Sequence, residues 1–290
     1  EFSMNFKKNS LVVPVATALL ATSFVASAVT LRVANQGDAL AMDPHSLNES
    51  LQLSVVGNVY EPLVTRDRDY KLTPGLATDW KQTAPNVWRF NLRKGVVFHD
   101  GTPFTADDVI FSYERAKGEG SDMKTYVGQI KEIKKINDHA VDFILGAPFP
   151  ILPELFTQWM MMSKKWCEEN QATKPVDRRK GIENAASFRA NGTGPYRLRE
   201  RQPNIRTTFV RNGNYWGKIE SNVQQVIYTP IKSDATRVAA LLSGEVDMVH
   251  VVPVQDVARV QRDQRLRILE GQENRTVWIG MRQDTDELAG

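Results

Sequence analysis

Histidine and cysteine are the side chains best suited to metal ligation and nucleophilic chemistry near neutral pH, and this chain has four of the first and one of the second. His45, His99, His139 and His250 stand apart, and no H-x-x-x-H or C-x-x-C spacing occurs. No structural metal site is therefore expected. Cys167 has no second cysteine to pair with, and a lone cysteine is more often a small buried hydrophobe than a nucleophile. His99-Asp100 has the composition of half a catalytic pair, but it runs into Asp100-Gly101, a turn signal between strands. No G-x-S-x-G or G-x-x-x-x-G-K-[ST] string is present. Gly192-x-Gly194 lacks the third glycine of a dinucleotide fingerprint, and Pro195 would block the helix that must follow. The residues argue against an enzyme, and neither a catalytic residue nor a cofactor is expected.

The elements that would position any site are readable from periodicity. Leu31 to Ala34 alternates and predicts a strand, broken by Asn35-Gln36-Gly37-Asp38. Apolar residues at 51, 55, 56 and 59 have helix spacing, and Asn48 or Ser50 is placed to cap that helix. Trp88, Phe90 and Leu92 alternate with Arg89, Asn91 and Arg93, which predicts a strand with one wet face. Val96 to Phe98 predicts a further short strand. Thr105 and Asp108 form a capping-box pattern ahead of a stripe at Val109, Ile110, Tyr113 and Ala116. Another strand is expected at 140–145. The polar stretch 160–189 predicts helix and loop outside the core. Strands are expected again at 196–199, 207–211 and 225–229. A helix follows, capped by Ser233 or Asp234 and ended by Gly244. Val246 to Val252 predicts a strand, Asp256 to Val260 a helix, and Thr276 to Met281 a final strand. This alternation argues for an α/β layer.

The chain has 290 residues, 41% hydrophobic and 24% charged, an ordinary globular composition with a net charge of +3. Its basic residues are scattered, so a solvated surface is expected rather than a nucleic-acid patch. Glu1-Phe2-Ser3 precede Met4 and are read as extraneous. Lys7 and Lys8, an uncharged run from Leu11 to Val25, and Ala26-Ser27-Ala28 together predict a secretory signal peptide. The run is too short for a spanning helix. The mature chain is expected to start near Val29, and no cysteine near that point suggests a lipid anchor.

Seven strings, taken in order, bring a resemblance. They are Asp43-Pro44-His45; Tyr60-Glu61-Pro62-Leu63-Val64; Pro74-Gly75-Leu76-Ala77-Thr78-Asp79-Trp80; and the run from Phe90-Asn91-Leu92-Arg93-Lys94-Gly95 through Phe98-His99-Asp100-Gly101-Thr102-Pro103-Phe104 to Val109. Gly192-Thr193-Gly194-Pro195-Tyr196, Asn214-Tyr215-Trp216-Gly217 and Ala235 to Asp247 complete the set. The chain resembles the extracellular solute-binding proteins of the oligopeptide, dipeptide and nickel class, family 5. One departure is Lys218 to Asn222, where the family usually has a proline-containing link; it reads as a surface-loop change.

The resemblance implies a periplasmic-binding-protein-like class II α/β lobe, a mixed sheet flanked by helices, with an inserted α+β domain. Residues 29–60 and 185–280 would form the discontinuous first lobe, 61–184 the insertion, and 281–290 the start of a second lobe that is missing from the chain. The implied function is capture of a small solute, a peptide first of all, in the periplasm and its delivery to the permease subunits of an ABC importer. A nickel complex, haem, an opine or an oligosaccharide are alternative ligands. A secreted hydrolase or a chaperone-like module are alternatives of another class. The family's cleft loop falls on Asn48, Glu49 and Ser50, short polar side chains suited to an extended peptide backbone. Trp278 stands where relatives place a cleft aromatic. The full-length protein is expected to be a monomer that binds no nucleic acid.

Overall fold

The computed structural model describes residues 29–271. The chain opens with strand β1 (Val29–Asn35) and passes through a long loop into helix α1 (Ser50–Val56). A hairpin, β2 (Val64–Arg66) and β3 (Leu72–Pro74), precedes β4 (Ala77–Ala84) and β5 (Val87–Leu92). Helices α2 (Ala106–Lys117) and α3 (Lys124–Val127) come before β6 (Ile130–Asn137) and β7 (Ala140–Leu145). Two short helices, α4 (Leu152–Leu155) and α5 (Lys164–Glu169), lead towards β8 (Tyr196–Gln202), β9 (Arg206–Arg211) and β10 (Val223–Pro230). Helix α6 (Asp234–Ser243), β11 (Met248–His250) and α7 (Val257–Gln261) follow.

Two principal sheets result. One is mixed, in the order β11-β1-β10-β9-β8, with β1 parallel to both β10 and β11 and with β9 and β8 antiparallel. The crossover from β10 to β11 runs through α6 and lands on the far side of β1, as a parallel connection requires a helix-length path. The other sheet is antiparallel, in the order β4-β5-β7-β6. Helix α6 is held at both ends by local chemistry. The Ser233 hydroxyl accepts from the Thr236 amide, and Gly244 takes the left-handed conformation at φ 78° that glycine adopts without strain.

Three apolar clusters hold these layers. Phe90, Phe143, Phe156 and Trp159 stack edge-on and tilted, with ring centroids 4.7 to 6.3 Å apart, beneath the antiparallel sheet. Val238, Leu241 and Val246 pack with Ala34 beneath β1. Between the sheets, Val55, Val56, Val59 and Tyr60 meet Met160 and Met162 from the later loop, Cys167 from α5 and Phe209 from β9.

The alternation at 88–92 forms β5, where Phe90 and Leu92 are buried and the solvent-side Arg89 pairs with Asp142 on β7 at 2.7 Å. The Thr105–Asp108 capping box is present. Three expectations are corrected. Val96 to Phe98 is not a strand: only Val97 bridges, to Pro103, while Val96 and Phe98 plug the core across the Gly101 turn. The 160–189 stretch is not outside the core, since Met160, Met161, Met162, Cys167, Ala172 and Val176 are buried. Its apolar residues are dispersed among charges without a period. They become interior because Arg115 of α2 draws the segment in, donating to the carbonyls of Ala172 and Lys174 at 3.0 Å each. The strand expected over 246–252 shrinks to Met248–His250; among the described residues it pairs with the last part of β1, Val33 to Asn35. The strand expected at 276–281 lies outside the described residues.

Candidate functional site

The carboxyl ends of β1, β10 and β11 lie side by side, with Asn35 opposite both Pro230 and His250. In open α/β sheets, ligands occupy the crevice beyond such ends, where connections leave in opposite directions. Here β10 flanks β1 on one side and β11 on the other. The Ile231 amide donates to the Asn35 carbonyl at 2.8 Å. The Asn35 carboxamide reaches to 3.5 Å from the His250 ring, and the Tyr228 hydroxyl donates to the Gly37 carbonyl. Beyond His250, Val251 and Val254 are 53% and 89% exposed.

The loop from Gln36 to Glu49 rims this edge, and buried polar anchors fix it. Asp38 pairs with Arg201 at 3.3 Å, both side chains being almost fully buried, and accepts from the Asn204 amide. Gln52 donates to the Ala41 carbonyl at 2.7 Å and accepts from the Leu40 amide at 2.8 Å. Asp43 receives both terminal nitrogens of Arg115, at 2.7 and 2.6 Å, with both side chains fully buried. Burial alone would raise the Asp43 carboxyl; the Arg115 charge and its hydrogen bonds outweigh it and hold the group below the usual carboxylate range. A loop pinned in this way can present its tip in one geometry.

That tip is Asn48, Glu49 and Ser50, all exposed. The two flanking residues do not cap α1. Glu49 does, its two carboxylate oxygens accepting from the Leu51 and Gln52 amides at 3.0 Å each. Asn48 accepts from the Tyr126 hydroxyl at 3.1 Å, which brings an aromatic ring of α3 to the rim. The three residues therefore stand together as neighbours, Trp278 lies outside the described residues, and sequence reasoning missed Tyr126, Asn35 and His250. The break after β1 was the available signal for Asn35; nothing local marked Tyr126.

Others of the seven strings serve as sutures between the sheets. A Cβ at Gly192 would stand 1.9 Å from the Val59 carbonyl oxygen, so only glycine lets these backbones pass. Next to it, the Gly194 amide donates to the Val59 carbonyl at 2.8 Å and the Tyr196 amide to Asn58 at 3.0 Å. Glu61 accepts at 2.8 Å from each of the Thr193 hydroxyl, the Tyr215 hydroxyl and the Trp216 indole. His99 ties two segments together: its Nε2 donates to the Gly194 carbonyl at 3.0 Å, and burial lowers its pKa to about 4. The Cys167 thiol is buried and pushed up to about 12, chiefly by desolvation, which leaves it protonated and unreactive. Among the described residues, no group of three or more His, Cys, Asp or Glu is placed to hold a metal ion, and no helix is long and apolar enough to cross a membrane.

A family model described as bacterial extracellular solute-binding proteins, family 5 Middle, matches residues 71–289. The chain belongs to this family. Among curated relatives, the periplasmic oligopeptide-binding protein OppA of Escherichia coli is 27% identical over 253 residues, covering 79% of this chain and 44% of that protein. The dipeptide-binding protein of the same species is 26% identical over 296 residues, covering 91% and 52%. Among solved structures, a dipeptide-binding protein from a Pseudoalteromonas species in complex with Met-Leu superposes with a TM-score of 0.72 at 23% identity, covering 81% of this chain and 50% of that one. The chain spans about half the length of the curated relatives it matches. The mixed sheet with its flanking helices is thus part of a family 5 lobe.

Proposed function

We propose that this chain supplies one lobe of a periplasmic clamp that captures a peptide and presents it to the permease subunits of an ABC importer. The observation that carries this reading is the family match over residues 71–289, among relatives named for oligopeptide and dipeptide binding. In this reading the rim residues Asn48, Glu49 and Ser50 meet the peptide backbone, Tyr126 orients Asn48 and offers an aromatic wall, and the strand ends at Asn35 and His250 form the floor. Trp278 would add a second aromatic surface. The protein binds without turnover, is exported through a cleaved signal peptide rather than held as a lipoprotein, and acts as a monomer.

The sheet memberships support a division in which residues 29–60 and 185–280 make the lobe and 61–184 make an inserted domain. Native mass spectrometry of the full-length protein tests the whole reading. A co-purified peptide, or a stable mass increment with added di- or tripeptides, is the expected result, and Asn48→Ala should weaken that binding about tenfold. Hydrolysis of the peptides without retention, or no retention of any peptide, would sink it.

A further inference from the structure

From Val29 to Ser50 and from Val223 to Val252, the stretches that build the strand-end crevice, the basic residues besides histidine are Arg32, Lys232 and Arg237. Arg32 is engaged by Asp247 at 2.7 Å. Arg237 is buried and works as a staple. Its guanidinium donates to the Ile231 carbonyl at 2.8 Å and to the Val251 carbonyl at 3.3 Å, and it pairs with Asp234. That single side chain fixes the loop after β10 against the loop after β11. Lys232 and Val251 are thereby held at the same mouth.

Lys232 is exposed, and its ammonium has neither a hydrogen bond nor an ion pair among the described residues. Asp234, the nearest carboxylate in sequence, is already taken by Arg237. The rim carboxylates are taken as well: Asp38 by Arg201, Asp43 by Arg115, and Glu49 by the amides of α1. Among the described residues, these strand ends thus carry one uncommitted lysine, on a loop whose Ile231 and Lys232 carbonyls share the Arg237 guanidinium with the carbonyl of the exposed Val251. A charge of this kind becomes selective when a ligand covers it and excludes water, because an uncharged analogue then leaves the ammonium desolvated and unpaired.

We infer that Lys232 is a specificity-determining residue of the ligand site, pairing with a carboxylate that the ligand carries next to an apolar side chain. This rests on the proposed peptide-binding function. The carboxylate can be a peptide's free C-terminus or an acidic side chain; the chemistry at Lys232 is the same, and titration separates the two sources.

Isothermal titration of the full-length protein with Ala-Val-Ala, its C-terminal amide, Ala-Glu-Ala amide and Ala-Gln-Ala amide is the test. The wild type should bind at least one carboxylate-bearing peptide about tenfold more tightly than its neutral counterpart. Lys232→Ala should erase that ratio and leave the neutral peptides nearly unchanged. Lys232→Arg should retain the ratio and Lys232→Glu should invert it, while Lys165→Ala, an equal loss of charge on α5, should do nothing. The pair that shows the ratio identifies the source of the carboxylate. An unchanged ratio in Lys232→Ala overturns this inference and leaves peptide binding standing. Failure of the wild type to bind any of the four peptides removes both.

Discussion

Arg115 and Asp43 form a two-pronged ion pair with no solvent contact, and it ties helix α2 to the rim loop across 72 positions of sequence. Asp43 also accepts from the Val176 amide at 2.8 Å, so one carboxylate joins three segments. Removing one member strands the other charge in the interior. Arg115→Met should cost about 3–5 kcal/mol, whereas Asp43→Leu combined with Arg115→Met should recover much of that loss. Urea unfolding of the three proteins measures this, and equal midpoints for Arg115→Met and the wild type would show that the pair contributes nothing. The pH dependence has a definite sign. Asp43 is held below its unfolded value, so its contribution is complete above about pH 4 and fades as pH falls through the folded value.

His45 and His99 predict a second, milder acid response. Each donates Nε2–H to a backbone carbonyl, Met160 at 2.9 Å and Gly194 at 3.0 Å, which leaves Nδ1 without a proton and, among the described residues, without a partner. Protonating Nδ1 would create a buried donor with no acceptor. Burial accordingly lowers both pKa values to about 4, against about 6.5 in an unfolded chain. A lowered histidine pKa means the unfolded state binds protons first. Stability should be flat above about pH 7 and fall between pH 6.5 and 4, by on the order of 3 kcal/mol per histidine. His99→Gln should be less stable at neutral pH and show a visibly shallower fall; an identical slope would rule His99 out as a source.

At the suture, Gly192→Ala should destabilise by at least about 3 kcal/mol, because the added methyl meets backbone rather than a yielding side chain. Gly213→Ala is the matched control, since a Cβ there meets nothing within 4 Å. Thermal melts of the two variants should differ by many degrees; coincident curves would mean that the 192–194 crossing can relax.

Glu61 is surrounded by donors, and one of them, the Trp216 indole, cannot reverse its role. Glu61→Gln can keep an oxygen towards the Trp216 indole and the Thr193 hydroxyl and turn its nitrogen towards the Tyr215 hydroxyl, which can accept, so it should cost only about 1 kcal/mol at pH 7. Desolvation raises this carboxyl, outweighing the hydrogen bonds from Trp216, Thr193 and Tyr215. Its folded state therefore holds a proton more tightly than the unfolded chain does. The favourable contribution from this group is greatest below about pH 4.3 and declines as pH rises through the folded value. Measured as the difference from wild type, the penalty of Glu61→Gln should be larger at acid pH than at neutral pH, and the reverse trend would contradict a raised carboxyl.

Short-range features were legible in the sequence. The capping box at Thr105 and Asp108, the left-handed Gly244 and the alternation through Phe90 each depend on residues within a turn or a strand. The partners of β1 were not legible, because its neighbours come from the far end of the described chain and register is set by tertiary packing rather than by pattern. Met160 to Met162 were misjudged for a related reason: no periodicity marks an irregular segment that is buried by what it wraps. At the rim, the strings pointed to Asn48 and its neighbours, but Tyr126, 78 positions away, meets Asn48 only in three dimensions.

The crossing of Asn58 and Val59 with Gly194 and Tyr196 has an architectural consequence. The chain leaves the mixed sheet and returns to it at points joined by two backbone hydrogen bonds. Everything between them is a closed excursion, and its gain or loss need not move the ends of the remaining scaffold. A short loop from Tyr60 to Thr193 could bridge the gap, provided that the surface exposed around Val55 and Val59 were made polar and that Asp43, left without Arg115 and Val176, were replaced. The glycines at the crossing are the point at which the remaining scaffold would close on itself.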